Sequence, residues 1–312
     1  MKDGRRRPYI GVALGSGSAR GWAHIGVFRA LREAGLRPDI VAGSSVGAIV
    51  GAMYAMNRLR VFEHWVRSLG RRGVLGYLDL TVRGGGGFFE GQRLRQRFVD
   101  AFGDVCFDAL RHPLGVVATE LGTGHERWLR EGSVVDAIRA SIALPGLFTP
   151  VLWDGEWLVD GGLVNPVPIS LCHAMGADLV IAVNLNGGIV GRHHRLPVAQ
   201  PDADPLRPPW LDRLASGLFS GARQGRELAV PPPGLFEVMA TAINIMQDRI
   251  TRSRMAGDPP DLMISPRLGD IGLLEFDRAE DAIEEGYQAV RRQKAAIGEF
   301  MERASASRAE NR

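Results

Sequence analysis

The chain has 312 residues, of which 45% are hydrophobic and 23% charged, with a formal net charge of +3. That length buries a substantial core as one large domain or two, and the composition is that of an ordinary globular protein. So small a net charge excludes a basic nucleic-acid footprint, and no apolar run reaches the ~18 residues that span a bilayer. The two cysteines, Cys106 and Cys172, make neither a disulfide framework nor a metal site, so a reducing cytoplasm is the expected compartment.

The basic start, residues 1–7, resembles the head of a signal peptide, but the apolar stretch behind it is too short and runs into glycines. Ile10-Gly11-Val12-Ala13-Leu14 therefore reads as a first buried strand. A loop, Gly15-Ser16-Gly17-Ser18-Ala19-Arg20-Gly21, leads into a helix over 22–34 that Gly35 ends. Ile40-Val41-Ala42 is the second strand and 46–56 the second helix. Strand and helix alternating at this pace predict an α/β fold with a mainly parallel sheet and right-handed crossovers.

Residues 83–89 contain four consecutive glycines and read as a mobile loop, either a lid near the pocket or a plain flexible connection. A helix over 92–102, a strand over 114–119 and a helix over 133–143 follow. A short strand at 157–159 runs into Asp160-Gly161-Gly162. A helix over 165–175 and a strand over 179–183 come next. From 187 to 233 histidine, arginine, proline and glycine dominate, which reads as a flexible insertion. Regular pattern returns with a helix over 235–255, a strand at 262–264 and one charged helix over 278–303. Residues 304–312 read as a disordered tail.

Two segments carry chemistry. In Gly43-Ser44-Ser45-Val46-Gly47 a strand turns sharply into a helix with Ser45 at the bend, which lifts a hydroxyl out of the backbone. Gly43 and Gly47 leave room for so tight a turn. Ser45 is the candidate nucleophile; the plainer reading is a turn serine, with Ser44 free to cap the helix. The loop from Gly15 to Gly21 joins a strand to a helix N-terminus and turns backbone N–H groups outward. It suits either a phosphate or an oxyanion. A dinucleotide site needs an acidic residue at the end of the next strand, and that strand ends in Gly43-Ser44-Ser45; a nucleotide-phosphate loop needs Gly-Lys-Ser/Thr, which is absent.

A serine nucleophile needs a base. His173 falls inside a helical pattern and His193-His194 in the insertion, so neither is well placed. Asp160 ends a strand before two glycines, which fits a base as well as an Asx-turn aspartate.

Gly-Ser-Gly-Ser-Ala-Arg-Gly with His24-Ile25-Gly26-Val27 behind it, Gly-Ser-Ser-Val-Gly and Asp-Gly-Gly, in that order, resemble the patatin-like phospholipases. The likeness is to the bacterial branch related to neuropathy-target-esterase catalytic domains, and it covers about residues 8–186 and 258–295. It implies a patatin-like three-layer α/β/α domain over 8–303 with the nucleophile elbow after the second strand. It further implies a Ser–Asp dyad: Ser45 as nucleophile and Asp160 as proton acceptor. Gly15, Gly17, Ser18, Arg20 and Gly21 would form the oxyanion loop, with Arg20 steadying it, and Gly161 and Gly162 complete the aspartate motif. Many members carry three successive glycines where this chain has Ser16, Gly17 and Ser18; the serine side chains are expected to narrow the pocket.

The resemblance implies hydrolysis of an acyl ester, a phospholipid or lysophospholipid, with no cofactor and no metal. A non-catalytic lipid-binding or regulatory module on the same fold is the alternative, and a triad hydrolase the third reading. Trp210, Leu211, Leu214 and Leu218 share one helical face near Arg213, Arg223 and Arg226. The segment 206–233 therefore reads either as a helix packed on its own domain, the favoured reading for so short a stretch, or as a peripheral contact with the inner membrane face.

Overall fold

The computed structural model describes residues 7–68, 87–89, 91–187 and 235–306. The glycines at 84–86, nearly all of the insertion with its 210–218 face, and His193-His194 lie outside the described residues.

Ten strands and nine α-helices are described. In chain order they are β1 (Ile10–Leu14), α1 (Ala23–Glu33), β2 (Ile40–Ser44), α2 (Val46–Ala55), α3 (Leu59–Arg67), β3 (Gly87–Phe89) and α4 (Gln92–Phe102). Then come β4 (Leu114–Glu120), β5 (Glu126–Leu129), α5 (Val134–Ser141), β6 (Gly146–Phe148), β7 (Val151–Trp153) and β8 (Glu156–Asp160). The last are α6 (Ile169–Ala174), β9 (Leu179–Val183), α7 (Leu235–Gly257), β10 (Leu262–Ile264), α8 (Ala279–Arg291) and α9 (Lys294–Ala306).

The main sheet runs β10, β9, β1, β2, β4, β8, β7, with β5 on β4 off this path. From β10 to β4 every pairing is parallel; β8 on β4, β7 on β8 and β5 on β4 are antiparallel. Strand alternation sends Ile10, Val12, Leu14 and Val41 into a core with α1, α2 and α8, and Ala13, Ile40 and Ala42 into a second core with Ile169 and Leu171 of α6. The result is the expected α/β sandwich with a mostly parallel central sheet.

Several elements differ from the sequence expectation. The 165–175 helix shrinks to Ile169–Ala174, because Pro166 and Pro168 bias the residues before them out of the helical region. The charged 278–303 helix is two, α8 on α1 and α9 beside β10, and the turn at Arg292 and Gln293 redirects the chain between them. Gly87–Phe89, expected within a loop, pairs as a strand with β6. The strands β5, β6 and β7 are too short to show a period, whereas α3, absent from the sequence expectation, does carry Leu59, Phe62 and Val66 at helical spacing.

The α1–α8 contact is backbone on backbone. A Cβ on Gly26 would lie 1.8 Å from the Ile283 carbonyl oxygen, and one on Gly286 would lie 2.0 Å from that of Ala23. No rotamer change relieves either clash. Gly26→Ala is expected to lower stability by about 2–3 kcal/mol, read as a lower urea midpoint at unchanged slope. An unshifted midpoint would show that the helices separate freely.

Candidate functional site

The register of the parallel strands puts the ends of β1 and β2 side by side, with Leu14 opposite Gly43. The glycine loop after β1 and the bend after β2 thus share one edge of the sheet. At the bend Ser45 has φ 55 and ψ −125, a conformation rare for a residue with a side chain. The elbow has no spare room: a Cβ on Gly43 would meet the Gly47 carbonyl oxygen at 2.5 Å, and one on Gly47 that of Leu14 at 2.2 Å.

Ser45 does not cap α2 with its side chain. Its hydroxyl donates to Asp160 Oδ2 at 2.6 Å. The other carboxylate oxygen, Oδ1, accepts the Gly162 N–H at 2.7 Å. The Asx-turn contact thus occupies one oxygen of Asp160 and the serine contact the other. Ser44, the alternative cap, is a strand residue, wholly buried, and its hydroxyl has no partner among the described residues.

Asp160 is 2% exposed. Burial raises its pKa from 3.8 to about 6, against the opposing hydrogen bonds from Ser45 and Gly162. Its backbone is held on both sides, by Thr119 Oγ1 donating to the Asp160 carbonyl and by the Asp160 N–H donating to Ala143 O.

Within the glycine loop most amides are already engaged. Gly15 N–H donates to Val183 O, Ser16 to Pro166 O, Ala19 to Leu273 O and Arg20 to Gly17 O. The amides of Gly17 and Ser18 have no acceptor among the described residues, and both residues line the cavity over Ser45 and Asp160. Ser18 sits at φ 49, where a glycine would be unstrained. Of the two loop serines, Ser18 lines the cavity, whereas Ser16 Oγ turns to Gln247 Oε1 at 3.0 Å. Gly21 lies against Val46, too close for a Cβ.

Arg20 is buried behind the loop. Its Nε donates to Ile271 O at 2.8 Å, and Nη1 lies 3.4 Å from the side-chain oxygens of Asn186 and Asn244. Burial lowers its pKa to about 10, with Glu275 acting the other way, so it stays charged near neutrality. His24 is fully buried; its pKa falls to about 4 through burial, so its neutral ring donates Nε2–H to Gly15 O at 2.8 Å.

Sequence reasoning missed three residues here. Ser141 at the end of α5 accepts the Ser45 N–H at 2.8 Å and donates to Val117 O at 2.6 Å, so it pins the strained elbow to β4. Asn244 and Gln247 of α7 line the cavity from above. With Asp248 and Thr251 they form a buried polar stripe at helical spacing, a pattern that ordinarily marks a solvent face. His173 is elsewhere: its Nδ1 faces Ala177 O, next to the start of β1, at the opposite sheet edge.

A mostly parallel α/β sandwich with a serine on a strand-to-helix bend defines a class of hydrolases. Residues 12–173 match the patatin-like phospholipase family, and the chain belongs to that family of lipid hydrolases and esterases. It is 35% identical to an NTE family protein of Mycobacterium bovis, over 91% of this chain and 90% of that one. It is 28% identical to lysophospholipase NTE1 of Pyricularia oryzae over 89% of this chain, which spans 18% of that protein. With the neuropathy target esterase sws of Drosophila melanogaster it shares 34% identity over 56% of this chain and 13% of that protein. Among the described residues no helix is long and apolar enough to cross a membrane.

The raised pKa of Asp160 has a consequence for stability. Between about pH 4 and 6 the unfolded chain gives up a proton that the folded chain keeps. Stability therefore falls across that window as pH rises, by something on the order of 3 kcal/mol. Asp160→Asn removes this burden. Its thermal midpoint at pH 8 is expected to equal or exceed that of the unmodified chain, with the advantage shrinking from pH 6 toward 4. A lower midpoint at pH 8 would contradict this.

Proposed function

We propose that this chain hydrolyses acyl esters, with a lysophospholipid or phospholipid as substrate, through a Ser45–Asp160 dyad. The observation that carries the reading is the 2.6 Å hydrogen bond from the Ser45 hydroxyl to a buried Asp160 carboxylate. The relatives' names, a lysophospholipase and a neuropathy target esterase, support the substrate class.

The chemistry follows from the geometry. Ser45 Oγ attacks the ester carbonyl carbon while its proton passes to Asp160 Oδ2. The carbonyl π pair moves onto oxygen, and the uncommitted N–H groups of Gly17 and Ser18 receive that charge. The N-terminus of α2 adds its positive dipole end. As the intermediate collapses, Asp160 returns the proton to the departing alkoxide and leaves an acyl-serine. A water then repeats the sequence, losing its proton to Asp160, and releases the fatty acid with Ser45 restored. An ordinary aspartate is a poor base for a hydroxyl; burial that lifts its pKa to about 6 brings it toward the working range.

Arg20 and His24 support the loop rather than the reacting atoms, Arg20 from behind and His24 through Gly15 O. Peripheral attachment to a membrane through 206–233 remains part of the proposal and rests on the sequence pattern alone.

Ser45→Ala and Asp160→Asn are each expected to abolish turnover of a p-nitrophenyl ester, and Ser45→Ala to abolish labelling by a fluorophosphonate. For the unmodified chain kcat/KM is expected to rise with pH through about 6, because the base must be ionised. Near-normal turnover by Asp160→Asn would sink the dyad, and no labelling of the unmodified chain would favour a non-catalytic lipid-binding module.

Ser141→Ala is expected to lower kcat about tenfold or more, as loss of a single well-placed hydrogen bond at an active site does, with KM little changed. An equal rise in KM with constant kcat would assign Ser141 to binding instead.

A further inference from the structure

Asp160 opens a short turn, Gly161–Leu163, and that turn supplies the Gly162 N–H to its Oδ1. The Asn165 N–H closes the turn by donating to Gly161 O at 2.9 Å. Gly161 is wedged against β4: a Cβ there would lie 2.2 Å from Val117 O and 3.0 Å from Ser44 Oγ. One residue further, Pro166 O accepts the Ser16 N–H at 2.8 Å. The exit of the turn therefore touches the glycine loop, while its entry carries Asp160.

Side chains from three separate segments grip that exit. Arg254 of α7 donates Nε–H to Val164 O at 2.9 Å and Nη2–H to Glu126 Oε2 at 2.7 Å. Glu126 Oε1 accepts from Asn165 Nδ2 and from Trp128 Nε1, each at 2.7 Å. Asn165 is buried, and its Nδ2 also lies 3.2 Å from Ser170 Oγ. Glu126 belongs to β5 and pairs in register with Thr119 of β4, whose hydroxyl holds the Asp160 carbonyl. An ordinary surface ion pair holds two long side chains for little return. Here the guanidinium spans a backbone carbonyl and a carboxylate at once, a fork that lysine does not reproduce.

We infer that Glu126, Asn165 and Arg254 form a clamp of positioning residues, which holds the turn after Asp160 in shape and so keeps the Gly162 N–H on the carboxylate. This rests on the proposed dyad. None of the three lines the cavity over Ser45 and Asp160. Burial, Ser45 and Gly162 set the proton affinity of Asp160, with no charged side chain among the causes. Glu126 and Arg254 therefore act through the geometry of the turn and not through their charges. A loosened turn withdraws one of the two donors that favour the ionised carboxylate, and it frees the carboxyl to swing away from Ser45. Both effects fall on the reacting groups and neither on substrate binding.

The test uses the full chain and a p-nitrophenyl ester, with circular dichroism reporting that each variant is folded. Glu126→Ala and Arg254→Met are each expected to lower kcat about tenfold to a hundredfold, the scale of a small misplacement at a reacting centre, with KM within about twofold. Each is also expected to move the acid limb of kcat/KM upward from about pH 6. The double variant is expected to be no worse than the weaker single one, because both break one unit. Glu126→Gln keeps an oxygen toward Asn165 and is expected to retain part of kcat, so the clamp can still be read if Glu126→Ala does not fold. Arg252→Met is the control: it breaks a pair with Asp248 on the same helix and is expected to leave kcat within about twofold and the limb in place. Normal kcat in folded Arg254→Met, a loss of kcat with the acid limb unmoved, or an equal effect of Arg252→Met overturns the clamp and leaves the dyad standing. If the unmodified chain neither turns over the ester nor reacts with a fluorophosphonate, both fall together.

Discussion

One strand sets the site. On a single edge of β4, Val117 faces Ser44 of β2 and the next residue, Ala118, faces Asp160 of β8. The opposite edge is taken by β5, which pairs with the same two residues. β2 therefore ends where antiparallel β8 arrives, and successive strand positions lie only about 3.3 Å apart. The 2.6 Å contact between Ser45 and Asp160, residues far apart in sequence, is thus a consequence of backbone register. The same strand supplies two more tethers: Val117 O takes the Ser141 hydroxyl, and Thr119 Oγ1 donates to the Asp160 carbonyl. A slip of one residue in β4 would turn its side chains to the other face and separate the pair.

That rigidity matters because the site holds two unfavourable things at once. Ser45 has a strained backbone, and Asp160 is a carboxyl group sealed from water. Neither would persist in a loose frame. The strain is held by the Ser141 bridge and by the glycines around the bend, and the carboxyl by donors on each of its oxygens. Two donors are too few to offset burial, and the net rise in pKa follows. In the proposed chemistry that imbalance is useful, since a fully satisfied carboxylate would bind a proton too weakly to act as a base.

How much of this was legible in the sequence depended on how local its cause was. The elbow, the glycine loop and Asp-Gly-Gly are each specified within a few residues, and turn chemistry exposes them. Periodicity likewise revealed β1, β2, β4, β9 and the helices α1, α2, α4 and α7. What stayed hidden depends on contacts between distant segments. Ser141 is an ordinary helix residue until β2 and β4 pass beside it. The strands β5 to β7 are three or four residues long, too short for a period to emerge. Prolines at 166 and 168 could have been weighed against the 165–175 helix, whereas the turn at Arg292 reflects the two surfaces that α8 and α9 must reach.

The helix α7 illustrates the limit of pattern reading most clearly, because its faces are reversed. Asn244, Gln247, Asp248 and Thr251 point inward, whereas Val238, Ile245 and Met246 are about half exposed. The inward face of the helix is held by polar contacts: Gln247 Oε1 accepts from Ser16 and Asn186, and Asn244 Oδ1 faces Arg20. Ser16 and Arg20 belong to the glycine loop, so the roof of the cavity and the loop below it are ordered by the same bonds.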